Sequence, residues 1–208
     1  MSSLLDAVRA VRVEDRPLGP GVMDAARDAS AGLVYASHGP QRCIHVLRAH
    51  DLRPMATIGD ATFVGPRGLA VDGELRRVYV ARTHRGPRQS VDALTVIQRH
   101  ATGRHTVDRT LSVGDGVEPR FVAVDAASGL VFVAGRGSAC TAPALIVLDR
   151  LTLDELGRAL LPGRPTALTI GEGAAVQVGI GAGSHVVDGR AVAHAAPTGP
   201  SSPGLAGS

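Results

Sequence analysis

Apolar residues in this chain come in short runs separated by clusters of Gly, Pro, Asp and Arg. Leu33-Val34-Tyr35-Ala36, Val78-Tyr79-Val80-Ala81 and Leu130-Val131-Phe132-Val133-Ala134 are the densest of them. Such runs are too short for helices and rich in β-formers, so they predict strands. Their weak alternation fits inner strands covered on both faces. A degenerate fourth run is Val176-Gln177-Val178-Gly179-Ile180, and the second, third and fourth are preceded by Pro66-Arg67-Gly68-Leu69-Ala70-Val71-Asp72, Pro119-Arg120-Phe121-Val122-Ala123-Val124-Asp125 and Pro165-Thr166-Ala167-Leu168-Thr169-Ile170. Each of the four is followed by another run: Ile44 to Leu47, Leu94 to Ile97, Leu145 to Leu148, and, more weakly, His185 to Asp188. A last strand is expected at Met55–Ile58, Arg109–Val113 and Arg158–Leu161. The unit therefore has four antiparallel strands with a tight first turn, as at Asp72-Gly73-Glu74.

The unit recurs at about 45–53 residues, the period of four-stranded propeller blades. A single such sheet cannot bury both faces, so neighbours must stack on it. The fold class read from this is an all-β propeller of about four four-stranded antiparallel blades, over 20–65, 66–118, 119–164 and 165–194. In the second blade the strands are expected at 66–71, 77–81, 94–97 and 109–113. The stretch 5–13 resembles a further outermost strand, since Val11-Arg12-Val13-Glu14-Asp15 parallels Leu111-Ser112-Val113-Gly114-Asp115. It could complete the last blade and hide an open edge; Leu4 to Val11 also fits a short helix. Residues 195–208, rich in Pro, Gly and Ser, are expected to be disordered.

The Pro-x-x-Leu/Val-Ala-Val-Asp opening, the Val-Tyr/Phe-Val-Ala strand, the Val-Ile/Leu third strand and the closing Val113-Gly114 together resemble the YVTN-type β-propeller repeats, including the lactonase-like propellers. The resemblance runs from about Pro20 to Gly189, strongest in the second and third copies. Ala-Ser, Ala-Arg and Ala-Gly stand where the family has Thr-Asn. The resemblance implies a fold and no single activity. Lactonase-type relatives hold their metal partly with Asn, and this chain has no Asn, which counts against that site.

Composition narrows the chemistry. Aromatics are only 2%, so the core must be built from Val, Leu, Ile and Ala. Every long-chain cation is Arg; Lys and Trp are absent, as a GC-rich, actinobacterial-like genome would produce. No lysine is available for a Schiff base. A net charge of +3 without clustering, and few aromatics for base stacking, speak against nucleic acid. No run suits a signal peptide or a membrane span. Cys43 and Cys140 are too few for a disulfide framework. The expectation is a soluble, cytoplasmic, reduced protein with no membrane partner, no cofactor and no metal.

In a propeller the loops before the first strand and after the second share one face of the central channel. Arg67, Arg120 and Arg164 come from the former; His38, Arg42, Cys43, Arg82, His84, Arg85, Arg88, Arg136 and Cys140 come from the latter. Asp60, Asp92, Asp115 and Glu118 are the nearest carboxylates. Guanidinium forks match carboxylates and phosphates, so Arg67, Arg120, Arg164, Arg82 and Arg136 are the candidate ligand-binding residues. The alternative is that any exposed loop collects Arg here, because Arg is the chain's only long cation. His38 and His84, at like positions after the second strand, are the candidate catalytic residues. His100 and His105 fall in a loop on the opposite face. No nucleophile elbow or phosphate loop is present, and Gly179-Ile180-Gly181-Ala182-Gly183 sits in a β–β turn without the helix a dinucleotide site requires. The leading reading is a non-enzymatic binding or scaffold propeller taking a small anion or a protein partner. The alternative is a lyase, cyclase or hydrolase using His and Arg in the channel. Four blades either close alone, pair as a homodimer in an eight-blade ring, or belong to a larger propeller.

Overall fold

The computed structural model describes residues 12–13, 16–59, 63–85, 90–113, 116–137 and 141–195, with backbone alone for 12–13, 16–17, 83–85 and 90–92. Four antiparallel sheets follow one another along the chain. The first is β3 (Val22–Asp28), β4 (Leu33–His38), β5 (Cys43–Arg48) and β6 (Pro54–Ile58). The second has β7 (Phe63–Val64) and β8 (Leu69–Asp72) both paired to β9 (Arg77–Arg85), then β10 (Ser90–Arg99) and β11 (His105–Ser112). The third is β12 (Val117–Asp125), β13 (Leu130–Gly137), β14 (Ala144–Asp149) and β15 (Glu155–Leu160). The fourth is β16 (Pro165–Ile170), β17 (Ala175–Ile180) and β18 (Gly183–Asp188). This is the expected all-β, four-blade propeller architecture; the strands of the second blade overlap the expected ones, but the first is split around 65–68 and the other three are longer than expected.

Three differences have local causes. The fourth sheet has three strands rather than four among the described residues. After β18 the Asp188 carboxylate accepts from the backbone N–H of Arg190 and Ala191, and this cap turns the chain into α1 (Gly189–His194). The helix lies against β15, where Gly157 makes room: a Cβ there would stand 2.1 Å from the Val192 carbonyl oxygen. At the N-terminus, β1 (Arg12–Val13) pairs with β2 (Arg16–Pro17) and not with the fourth sheet. Residues 5–11 lie outside the described residues, as do Asp60, Asp115, Cys140 and the tail from 196.

The sheets stack through three apolar clusters. Tyr35, Ile44 and Val46 meet Leu69, Val78 and Val80 between the first and second sheets. Tyr79, Leu94 and Val96 meet Val122, Val131, Val133 and Ile146 between the second and third. Phe132, Leu145 and Val147 meet Val176, Val178 and Val187 between the third and fourth. Among the described residues no fourth cluster joins the fourth sheet to the first.

Strand register aligns the four copies. Leu33, Arg77, Leu130 and Ala175 open the second strands at equivalent positions, which makes Tyr35, Tyr79, Phe132 and Gln177 equivalent. The first three are fully buried, each facing the following sheet.

A polar latch repeats in the same register. Asp28 ends β3 and meets Arg99 at the end of β10; Asp72 ends β8 and meets Arg150 just past β14. Each latch joins the first strand of one sheet to the third strand of the next. The positions equivalent to Arg99 and Arg150 are Ala49 in the first sheet and Gly189 in the fourth, as the shared backbone bonds Ala49 N–H to Gly32 O, Arg99 N–H to Arg76 O and Arg150 N–H to Gly129 O establish for the first three. Asp125 therefore has no such arginine opposite it.

Candidate functional site

The first strands β3, β8, β12 and β16 stand side by side along the inner side of the stack. Each carries an irregularity near its start. Register shifts between Val22 and Asp24, between Pro119 and Phe121, and between Pro165 and Ala167. In the second sheet Arg67 and Gly68 bridge β7 and β8 by backbone bonds to Ala81. Met23, Arg67, Arg120 and Thr166 are thus the equivalent bulge residues. A bulge re-aims its side chain away from the pleat, so two of these four positions direct a guanidinium toward the inner edge.

Those two guanidiniums converge. Arg120 Nη2 lies 2.7 Å from Glu118 Oε1, and Arg67 Nε lies 3.7 Å from the same oxygen. Arg136, paired with Glu118 across β12 and β13, donates to Glu118 Oε2. Three of the five arginines singled out from the sequence therefore surround one carboxylate. Glu118 and Arg120 are mostly withdrawn from water (17% and 18% side-chain exposure), whereas Arg67 and Arg136 are partly exposed. Arg67 Nε is shut off from solvent and has no hydrogen bond. The Arg120 guanidinium is held below its ordinary pKa by burial first, then by the charges of Arg67 and Arg136, against the opposing pull of Glu118. The cluster sets three cations against one anion among the described residues.

Gly68 lets the second and third sheets come close enough for this. A Cβ at Gly68 would stand 2.6 Å from Arg120 O and 2.8 Å from Phe121 Cα. The Ser37 hydroxyl donates to Arg67 O at 2.6 Å from the first sheet, and Asp24 Oδ2 accepts from Leu69 N–H at 2.8 Å. The loop bearing Arg67 is thus anchored on both sides.

The other two arginines lie elsewhere. Arg82 is buried and runs outward across its own sheet, donating from Nε to Thr95 Oγ1 and from Nη2 to Thr110 Oγ1, with its guanidinium 4.5 Å from the centre of the Phe63 ring. Arg164 is exposed. Register puts it opposite neither Arg67 nor Arg120: Pro165 aligns with Pro119, so Arg164 takes the place of Glu118 and Thr166 that of Arg120.

The histidines also separate. His38 aligns with Arg82 and Gly135, while His84 sits two residues further along its strand, and its side chain lies outside the described residues. His38 Nδ1 accepts from Gln41 N–H at 3.1 Å, and its ring meets His45 edge-on at 5.5 Å. His45 in turn lies 2.8 Å from Gln41 Oε1 and 3.6 Å from the Cys43 sulfur. Burial pushes the Cys43 thiol up and, with the neighbouring His38, holds His45 below its ordinary value. No contact joins His38 to the arginine cluster among the described residues. His105, expected in a loop, opens β11, with Nε2 2.9 Å from the Tyr35 hydroxyl. Among the described residues no three His, Cys, Asp or Glu side chains are grouped to hold a metal.

Glu118 was legible only as a neighbouring carboxylate. Its place two residues before a bulge arginine, in a strand whose partner carries Arg136, is the signal that could have found the cluster.

Solved propellers share this architecture. The chain superposes on hydrazine synthase from Kuenenia stuttgartiensis with TM-score 0.64 at 14% identity, over 86% of this chain and 50% of that one. A protein from Lactobacillus plantarum gives 0.60 at 17% identity over 79% and 50%. The β-propeller domain of Cps50 (Swd1) from Myceliophthora thermophila gives 0.59 at 10% identity over 80% and 53%. The chain spans about half the length of these structures. At such identities the likeness establishes the β-propeller fold alone. No protein-family model matches the sequence. No curated protein matches it either. Among the described residues no helix is long and apolar enough to cross a membrane.

Proposed function

We propose that this chain is a non-enzymatic binding propeller of the YVTN type that takes a small anion, a phosphate or carboxylate, at Arg67, Arg120 and Arg136. The repeated Pro-x-x openings and the Asp that ends each of the first three blades' opening strand support the repeat type. The observation that carries the ligand reading is the convergence of three guanidiniums on the single carboxylate of Glu118, with Arg67 Nε out of water and unbonded. Such an arrangement leaves positive charge uncompensated in a half-buried setting, where charge-assisted hydrogen bonds are strong.

Titration calorimetry with inorganic phosphate at low ionic strength tests the reading. Micromolar-to-millimolar binding is expected, weakened more than tenfold in Arg67→Ala/Arg120→Ala, since each charged contact contributes roughly 1.5–3 kcal/mol. Absence of affinity for phosphate, sulfate and small carboxylic acids alike would end it, as would full affinity in the double variant.

A further inference from the structure

The forward face, from each sheet toward the next, carries an aromatic and two third-strand aliphatics in the first three copies, Tyr35, Ile44 and Val46, then Tyr79, Leu94 and Val96, then Phe132, Leu145 and Val147, and the fourth departs from this. In the third sheet the forward-facing residues are Phe121, Leu130, Phe132, Ala134, Leu145 and Val147, all packed on the fourth sheet. Register gives their counterparts in the fourth sheet as Ala167, Ala175, Gln177, Gly179, Ser184 and Val186. Every large apolar group but Val186 has been shortened or made polar. Gln177, which replaces the aromatic plug, is exposed, and its Nε2 donates to Ser184 Oγ across the strands at 3.0 Å. Thr169 and Ala167 are exposed beside it, and Val186 keeps 63% of its surface in water. The backward face of the same sheet stays apolar, with Val176, Val178 and Val187 buried. The latch is lost as well: the position equivalent to Asp28, Asp72 and Asp125 is Gly171, whose N–H bonds the Ala175 carbonyl.

We propose that the fourth sheet is a solvent-facing cap that ends the propeller, so that no further sheet, of this chain or of a second copy, packs on it. Repeat arrays need terminal units with a polar outer face. The matched propeller chains continue for about as far again, whereas this sheet has exchanged the plug, the flanking leucine and the latch that a following sheet would use. The arc stays open on this side, and closure with a partner through it is not what the residues provide for. The inference is independent of the anion reading.

Sedimentation of the full chain, with thermal melts of surface variants, decides the matter. Wild type is expected to sediment at 21.3 kDa. Gln177→Lys should leave its mass unchanged and its Tm within ~2 °C, as for exposed positions. Gln177→Phe/Ser184→Leu, which restores the third sheet's residues, should associate with rising concentration. An oligomer that Gln177→Lys leaves intact uses another surface and upholds the cap. An oligomer that Gln177→Lys dissociates overturns it. A Tm drop of more than ~6 °C in monomeric Gln177→Lys also overturns it, because the face is then covered by the chain itself.

Discussion

Replacing Arg150 with Met removes the cation of the latch between the second and third sheets and keeps most of the side chain's length. In the folded protein Arg150 donates from Nε and Nη2 to both oxygens of Asp72, and from Nη2 to Glu74 Oε2 at 2.7 Å. Asp72 has 1% of its side chain exposed and Arg150 9%, so the pair is dry, whereas Glu74 is exposed and contributes little. Without the guanidinium, the Asp72 carboxylate keeps backbone N–H donors such as Leu75 at 3.0 Å, but its charge is buried and unpaired. Breaking such a pair from one side costs about 3–5 kcal/mol. For a domain of this size that corresponds to a Tm lower by roughly 6–20 °C. The pH dependence carries a second check. Burial pushes the Asp72 carboxyl up, and the Arg150 fork with the backbone donors outweighs this, holding it below 3.8. Its contribution is therefore present above pH 3.8 and fades as pH falls through the lower folded value. Urea unfolding of wild type and Arg150→Met at a series of pH values should give a gap that is widest near neutrality and closes below pH 3.8. A gap under about 1 kcal/mol at pH 7, or one that persists in acid, would refute the latch as a stabilising contact.

Two further outcomes follow from the same contacts. His105 sits below its ordinary 6.5 because of burial first, then the charges of Arg99 and His100, with Asp28 opposing. Its folded value is lowered, so stability should decline as pH falls from 6.5 through that value, and His105→Gln should flatten the decline in urea titrations between pH 7 and 5. Gly68→Ala must push a methyl against the backbone at Arg120 and Phe121, which cannot yield, and should lower stability by about 1–3 kcal/mol and weaken phosphate binding. Gly19→Ala, with nothing within 4 Å, should do neither.

The blades were legible because strand length, turn residues and period all appear in the one-dimensional pattern: Val78–Ala81 reads as a strand without reference to anything distant. The repeated Asp72 and Asp125 were visible as part of a motif, but the arginine that meets Asp72 was not. Arg150 lies one sheet further on, and nothing local distinguishes it from the other arginines of an Arg-only chain. The candidate site was half legible for the same reason. Arg67 and Arg120 follow equivalent prolines and do converge. Arg82 occupies a strand position whose side chain runs outward over Thr95, and no periodicity reports that. Arg164 shares the loop but precedes its proline, where Arg67 and Arg120 follow theirs, so it does not take their position.

The four bulge positions show why the site falls where it does. Met23 and Thr166 occupy them in the outer sheets, Arg67 and Arg120 in the inner ones. The junction of the second and third sheets joins the two sheets that are packed on both faces, with a latch of its own, Asp72 to Arg150, and that of Asp28 to Arg99 at the junction before it. It also holds the cluster in which Tyr79, Val131, Val133 and Ile146 are fully buried. A group of like charges needs a support that cannot relax away from the repulsion, and rigid, well-packed strands supply it. At the terminal sheets the same charges would stand on frames with one uncovered side or lacking the latch arginine. The chain instead places a thioether and a hydroxyl there, and concentrates its guanidiniums where the scaffold is held from both directions.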